Sequence, residues 1–255
     1  MDLLVGTSGF AYPHWKGSFY PRGLAANAQL GYYAERFAAV ELNVTFYRMP
    51  SAAAFRGWAN AVPPGFVFAV KASRYITHVR RLRDPKDPVE FLRERAGLLG
   101  EHLGPFLLQL PPDMSAEPER LADTLDAFGP ARVAVEFRHD SWFTPEIEAL
   151  LRSKGAALCL ADRHGPRTPL LRTAEWTYLR LHEGRAFMPP CYGDGALRGW
   201  VERLREAALA DRGFVFFNND HRACAVKNAA RMVELLRLAE TFAGSDLDVQ
   251  PVLRR

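Results

Sequence analysis

Residues 66–71 read Phe66-Val67-Phe68-Ala69-Val70-Lys71: five apolar positions in a row, four of them aromatic or β-branched, closed by a single charge. A strand with one wet face alternates apolar with polar, so an uninterrupted run predicts a strand covered on both faces, as in a parallel sheet. On its N-terminal side Ser51 is placed to cap AAAFRGWANA (52–61), whose helical spacing stops before Pro63-Pro64. On the far side Asp87-Pro88 opens VEFLRERAGLLGEH, with proline where a first helical turn tolerates it. The unit is helix, buried strand, helix.

That unit recurs along the chain. Eight runs qualify as strands: LLVGTS (3–8), AAVELN (38–43), FVFAVK (66–71), PFLLQL (105–110), RVAVEF (132–137), AALCLA (156–161), WTYLRLH (176–182) and FVFFNN (214–219). Further helices are expected at QLGYYAERF capped by Asn27, at EPERLADTLDAFG after Ser115, at PEIEALLRSKG after Thr144 with Gly155 as its C-terminal cap, and over 196–210 and 223–242. The link DRHGPRTPLLRTAE (162–175) holds two prolines and a glycine, which predicts an irregular or missing helix between strands six and seven. The expected fold is α/β: one (β/α)8 TIM-type barrel, a single domain over residues 1–255. A doubly wound open sheet is the competing arrangement, because periodicity does not show closure.

Composition adds limits. The 33 basic and 29 acidic residues leave a net charge of +4, too mild for an obligate polyanion binder. The one dense basic cluster is Arg80-Arg81-Leu82-Arg83, near Arg74 and His78. Cys159, Cys191 and Cys224 are far apart and odd in number, so they are expected to be free thiols in a reducing compartment. The start MDLLVGTSGF lacks a basic, long apolar leader, and no stretch reaches the roughly 20 apolar residues of a membrane span; the expected location is the cytoplasm, without a membrane partner.

Polar residues gather at the C-terminal ends of the runs, the functional face of a barrel. They are Glu41 and Asn43, Lys71, Gln109, Glu136 and Arg138, Asp162, Arg180 and His182, and Asn218 and Asp220, with Thr7 or Ser8 in the matching place on the first strand. Burying so many polar groups without partners is costly, which points to a shared pocket. The competing reading is an ion-pair plug of Glu41, Lys71, Glu136, Arg138 and Arg180.

Two chemistries suit the set. In acid–base catalysis, Glu136 is the general acid or base, Glu41 and His182 assist proton transfer, and Lys71 with Arg138 binds or polarises the anionic part; a lysine beside a carboxylate also suits proton abstraction or a Schiff base. A divalent metal is the alternative, with Glu136, His139, Asp162, His182 and Asp220 as donors, although Lys71, Arg138 and Arg180 at the same mouth oppose a cation. No cofactor fingerprint of P-loop, GxGxxG or GxSxG type is present. The positive groups favour a small anionic metabolite, a sugar or sugar phosphate first, with Asn43, Gln109, Arg138, Asp162, Arg180, Asn218 and Asp220 binding it and Tyr47 and Trp142 stacking on its ring. The run GTSGFAYPHWKGSFYP (6–21) follows the first strand and is read as a lid that leans His14 and Trp15 toward the pocket. A non-catalytic, nucleic-acid-binding barrel using residues 74–83 is the rival function.

Seven ordered motifs carry a family likeness: GTSGFAYPHWKGSFYP, VELNVTFYRMPS, FVFAVKASRYITHVRRL, LGPFLLQLPP, VAVEFRHDSW, YLRLHEG and FVFFNNDHRACAVKNA. Together, from residue 5 to about 235, they resemble the YecE-like family, also called domain of unknown function 72. The resemblance implies a TIM-type barrel and no established reaction. Its polar motif positions fall here on Glu41, Asn43, Thr45, Tyr47, Lys71, Thr77, His78, Gln109, Glu136, Arg138, Trp142, Asp162, Arg180, His182, Asn218, Asn219 and Asp220. The chain departs at Arg180-Leu181-His182-Glu183-Gly184, where the family reads RxHG and Glu183 is inserted.

Overall fold

The computed structural model describes residues 2–162, 168–182, 191–206 and 212–245. Eight parallel strands close on themselves in chain order: β1 Asp2–Ser8, β2 Ala39–Leu42, β3 Val67–Lys71, β4 Leu103–Gln109, β5 Val133–Glu136, β6 Ala157–Asp162, β7 Thr177–Leu181 and β8 Arg212–Phe217. The seam is the β1–β8 ladder, in register from Asp2 opposite Arg212 to Thr7 opposite Phe217. Closure removes the open-sheet alternative and leaves no unpaired edge.

Around the barrel lie α1 Gln29–Ala34, α2 Val44–Tyr47, α3 Ala52–Asn60, α4 Lys86–Gly97, α5 Pro118–Phe128, α6 Pro145–Ser153, α7 Asp194–Glu206 and α8 Cys224–Ser245. The caps at Ser51 and Thr144 form as expected, their hydroxyls accepting from Ala54 N and Ile147 N. Asn27 does not cap: it sits inside a 3-10 turn, Ala26–Ala28, that feeds α1. Ser115 does not cap either, because α5 starts later, with Pro118 at its head and Glu117 before it. The four-residue α2, which follows the C-terminal end of β2 and packs against β3, carries no periodicity long enough to predict.

Among the described residues, 168–176 contain no helix. Thr173 instead caps strand backbone there, its hydroxyl accepting from Leu158 N and donating to Ala156 O. A Thr side chain thus satisfies groups that a crossover helix leaves to other partners.

The lumen is filled by mixing sizes. Ala39, Ala69, Ala134 and Ala157 make room for Trp176, Tyr178, Phe214 and Phe216, with Leu107 and Cys159 between them. Gly6 is where the packing tolerates nothing larger: a Cβ there would lie 1.9 Å from Ala39 O and 3.0 Å from the Tyr33 hydroxyl. That hydroxyl accepts from Thr7 N at 2.8 Å and donates to Ala39 O at 3.1 Å, tying α1 to the β1–β2 seam.

One expectation about the cysteines is overturned. Cys159 is a free, buried thiol, but Cys191 and Cys224 are disulfide-bonded, with Cα atoms 5.0 Å apart. Separation in sequence hid the pair; the barrel brings the segment before α7 against the first residue of α8. Free thiols therefore no longer argue for a reducing compartment. No helix among the described residues is long and apolar enough to cross a membrane. Glu183 and His164 lie outside the described residues, as does the end of the helix expected to reach 210.

Candidate functional site at the barrel mouth

Alternation along each strand lifts one polar layer above the apolar lumen: Ser8, Glu41, Lys71, Gln109, Glu136 and Arg180, all buried. At its centre Arg180 reaches across the barrel from β7 to β2 and β5. Its Nη2 donates to Glu41 Oε1 at 2.7 Å and its Nη1 to Glu136 Oε2. All three side chains are at most 1% exposed. Glu41 also accepts from the Ser8 hydroxyl and from Tyr178 Oη at 2.6 Å. Glu136 accepts from Arg138 Nε at 2.9 Å, while Arg138 Nη2 donates to Gln109 Oε1 at 3.2 Å.

These contacts decide ionisation. Burial on its own raises a carboxyl pKa, but Arg180 with Lys71 holds Glu41 below its ordinary value, and Arg180 with His182 and Arg138 holds Glu136 well below. The same two carboxylates keep Arg180 charged against the pull of burial. His182, depressed by burial and by Arg180, stays neutral. Asn218 Nδ2 lies 2.9 Å from His182 Nδ1, and Nε2 lies 3.3 Å from Arg180 Nη1 and 3.6 Å from Glu136 Oε1.

Lys71 differs from the rest of the layer. No hydrogen bond or ion pair ties its ammonium to any described residue; Nζ sits 4.2 Å from the centre of the Phe46 ring. Burial and the neighbouring Arg180 bring its pKa down to about 8. His78 lies edge-on to Phe46, and Thr45 donates from Oγ1 to Lys71 O at 2.6 Å, fixing the end of β3. Two buried carboxylates thus face three cations, Arg138, Arg180 and Lys71. Asn43 Oδ1 and Arg180 Nε are buried without hydrogen-bond partners among the described residues.

The first loop is latched to the last. A 3-10 turn, Pro13–Trp15, directs Trp15 Nε1 at Asp220 Oδ1 (2.7 Å) and His14 Nε2 at Asp220 Oδ2 (2.9 Å). Trp15 is fully buried, so its indole serves the latch and not a ligand. Burial raises the Asp220 pKa, with Trp15 and His14 opposing.

Other expected site residues scatter. Trp142 is 1% exposed, stacks on Phe137 and donates to Met114 O, so it offers no face to a ring; its place in the 3-10 turn after β5 turns it outward from the barrel axis. Asp162 accepts from Trp200 Nε1 at 3.3 Å, tying β6 to α7. Tyr47, by contrast, is 79% exposed. His139 pairs with Ser141, and no three His, Cys, Asp or Glu side chains among the described residues gather to hold a metal ion. In the basic segment, Arg80 pairs with Asp84 and Arg81 with Asp113, so part of its positive charge is already neutralised. A cavity of about 590 Å³ beside Tyr75 and Phe91 and another of about 480 Å³ at the start of β1 touch none of the mouth charges.

Two participants have no counterpart in the sequence reading. Tyr178 sits two residues before Arg180, so period-two alternation places it on the same face; Phe46 has no such signal.

A family model described as "Protein of unknown function DUF72" matches residues 4–251. The chain belongs to the DUF72 family. A relative, the UPF0759 protein YunF of Bacillus subtilis (strain 168), is 27% identical over 254 residues, covering 86% of this chain and 90% of YunF. A solved DUF72 protein from Thermotoga maritima is 31% identical and superposes with a TM-score of 0.83 over 93% of this chain and all of its own. A second, from Enterococcus faecalis, superposes at 0.79 over 92% of this chain and 95% of its own; at 19% identity it shows the fold alone.

Proposed function

We propose that the barrel mouth binds a small anionic metabolite and transforms it by acid–base chemistry. The supporting observation is Lys71: a buried ammonium without an ion-pair partner among the described residues, beside a layer in which Arg180 and Arg138 already neutralise both carboxylates. Lys71 and Arg138 take the anionic part of the ligand, and Asn43, Gln109, Asn218 and Asp220 orient its hydroxyl groups. A sugar phosphate or sugar acid is the first substrate class, with stacking left to Tyr47 at the rim.

Glu136 and Glu41 are the carboxylates that fix Arg180 and bias Lys71. Both are ionised and saturated with donors, so the group placed to exchange protons near neutrality is Lys71.

The test is a thermal-shift series in constant chloride with inorganic phosphate and sugar phosphates, on wild type and Lys71→Met. The expected result is a rise in Tm for wild type that the variant lacks. No anion raising the wild-type Tm above the chloride baseline overturns the proposal.

A further inference from the structure

Basic residues are distributed unevenly over this fold. Of 33, the lysines are Lys16, Lys71, Lys86, Lys154 and Lys227, and every other is an arginine. Lys16, Lys86, Lys154 and Lys227 are exposed; Lys71 alone is buried, 8% exposed. Its immediate surroundings use arginine for every charge that only has to bind: Arg180 for Glu41 and Glu136, Arg138 for Glu136 and Gln109. Arginine cannot give up its proton in a protein and cannot act as a nucleophile, whereas a buried lysine can do both.

We propose that Lys71 is a covalent nucleophile that captures the aldehyde or ketone carbon of an anionic substrate as an imine. This rests on the anion-binding reading above and adds the bond that the site makes. The neutral amine's lone pair forms the C–N bond while the carbonyl π pair moves onto oxygen, which takes a proton. The nitrogen then loses one proton and gains a double bond as the hydroxyl, protonated in turn, leaves as water. One amine, one carbonyl and one proton become a protonated imine and water. That cation withdraws electrons from the bond next to the captured carbon, the step on which isomerisation, cleavage or decarboxylation of an oxo acid or sugar phosphate depends.

The geometry supplies what the reaction needs. The amine is held by no carboxylate among the described residues, so none must be broken before attack. The Phe46 ring, 4.2 Å from Nζ, excludes water from one side. Arg138, 26% exposed, is placed for the substrate's carboxylate or phosphate, and His182 stands just past the end of β7, across the barrel from β3. With its pKa near 8, roughly a tenth of Lys71 is free amine at pH 7, against about four in ten thousand for an exposed lysine.

The probe is glyoxylate with cyanoborohydride, which delivers hydride to an imine and leaves a carboxymethyl group on the lysine. Labelling of the wild-type chain at pH 7 is followed by peptide mass mapping, with and without inorganic phosphate. Lys71 is expected to label at least ten-fold faster than each of the four exposed lysines, and phosphate to suppress that excess while leaving the other four unchanged. Labelling of Lys71 no faster than the exposed lysines, with phosphate still raising the Tm, overturns the imine and leaves anion binding standing. Labelling of Lys71 no faster than the exposed lysines, with no Tm rise, overturns both, and fast labelling that phosphate does not suppress, with no Tm rise, overturns the anion-binding reading alone. The measurement is made on the wild-type chain, so a poorly folding Lys71 variant does not intervene.

Discussion

Arg180→Met is the most informative single change, because it tests whether charge holds the mouth together. In the native barrel one guanidinium neutralises two carboxylates that are each 0% exposed. At a charge separation of about 4 Å and an effective dielectric of about 20, each pair is worth about 4 kcal/mol before desolvation is deducted. Deleting the shared partner removes both attractions and leaves the carboxylates buried and facing each other, and breaking a buried pair from one side costs about 3–5 kcal/mol. For a domain of this size that is a fall in Tm of roughly 10 °C. The pH dependence carries the sign. In wild type the carboxyl pKa values are depressed, so their stabilisation is complete above the unfolded value of about 4.3 and is lost as pH falls through the folded values. In the variant, burial without Arg180 raises them, so stability is lost as pH rises above about 4.3. The gap between the two proteins should be widest at pH 7 and narrow toward pH 5, in urea unfolding followed by circular dichroism. The triple variant Glu41→Gln, Glu136→Gln, Arg180→Met should recover most of the loss. A gap under about 1 kcal/mol, or one of equal size at both pH values, would refute the argument.

Gly6→Ala should cost more than about 3 kcal/mol or abolish soluble protein, since the new Cβ meets Ala39 O at 1.9 Å, whereas Gly23→Ala, with nothing within 4 Å, should stay within about 0.5 kcal/mol by thermal denaturation. Thiol titration of the denatured, unreduced chain should find Cys159 alone, with three thiols after reduction; Cys224→Ser should lower stability by up to about 4 kcal/mol, the loop-closure value for a 33-residue separation. Asp220→Ala should cost about 1–3 kcal/mol by leaving the buried Trp15 indole N–H unpaired, and adding Trp15→Phe should return part of that loss in a double-mutant cycle.

The barrel was legible because its strands are buried on both faces: runs such as FVFAVK and FVFFNN differ so plainly from the amphipathic stretches between them that all eight emerge with ends within two residues. The polar layer followed from alternation alone, since Glu41, Lys71, Glu136 and Arg180 each stand two residues above an inward-facing apolar position. What pairs with what did not follow. That one arginine serves two glutamates, and that Lys71 is left over, depends on reach across the lumen. Trp142 shows the same limit, as its place just past a strand end suggested the mouth while a 3-10 turn sends it into the outer core. The Cys191–Cys224 bond escaped because spacing along the chain says nothing of which loops a closed barrel makes neighbours.

The order in which the chain supplies the mouth has its own consequence. Glu41 waits for a partner 139 residues downstream, Glu136 for one 44 downstream, and Trp15 for an acceptor 205 residues away. Contacts of such separation form late, because the loop-closing entropy must be met first. Until β7 arrives, Glu136 has only Arg138 and Glu41 only the more distant Lys71 as counter-charge, so both carboxylates keep water that opposes a dry collapse of β1–β6. The ion pair that stabilises the finished barrel thereby also times it: an incomplete chain stays hydrated and open, and drying of the mouth coincides with delivery of Arg180.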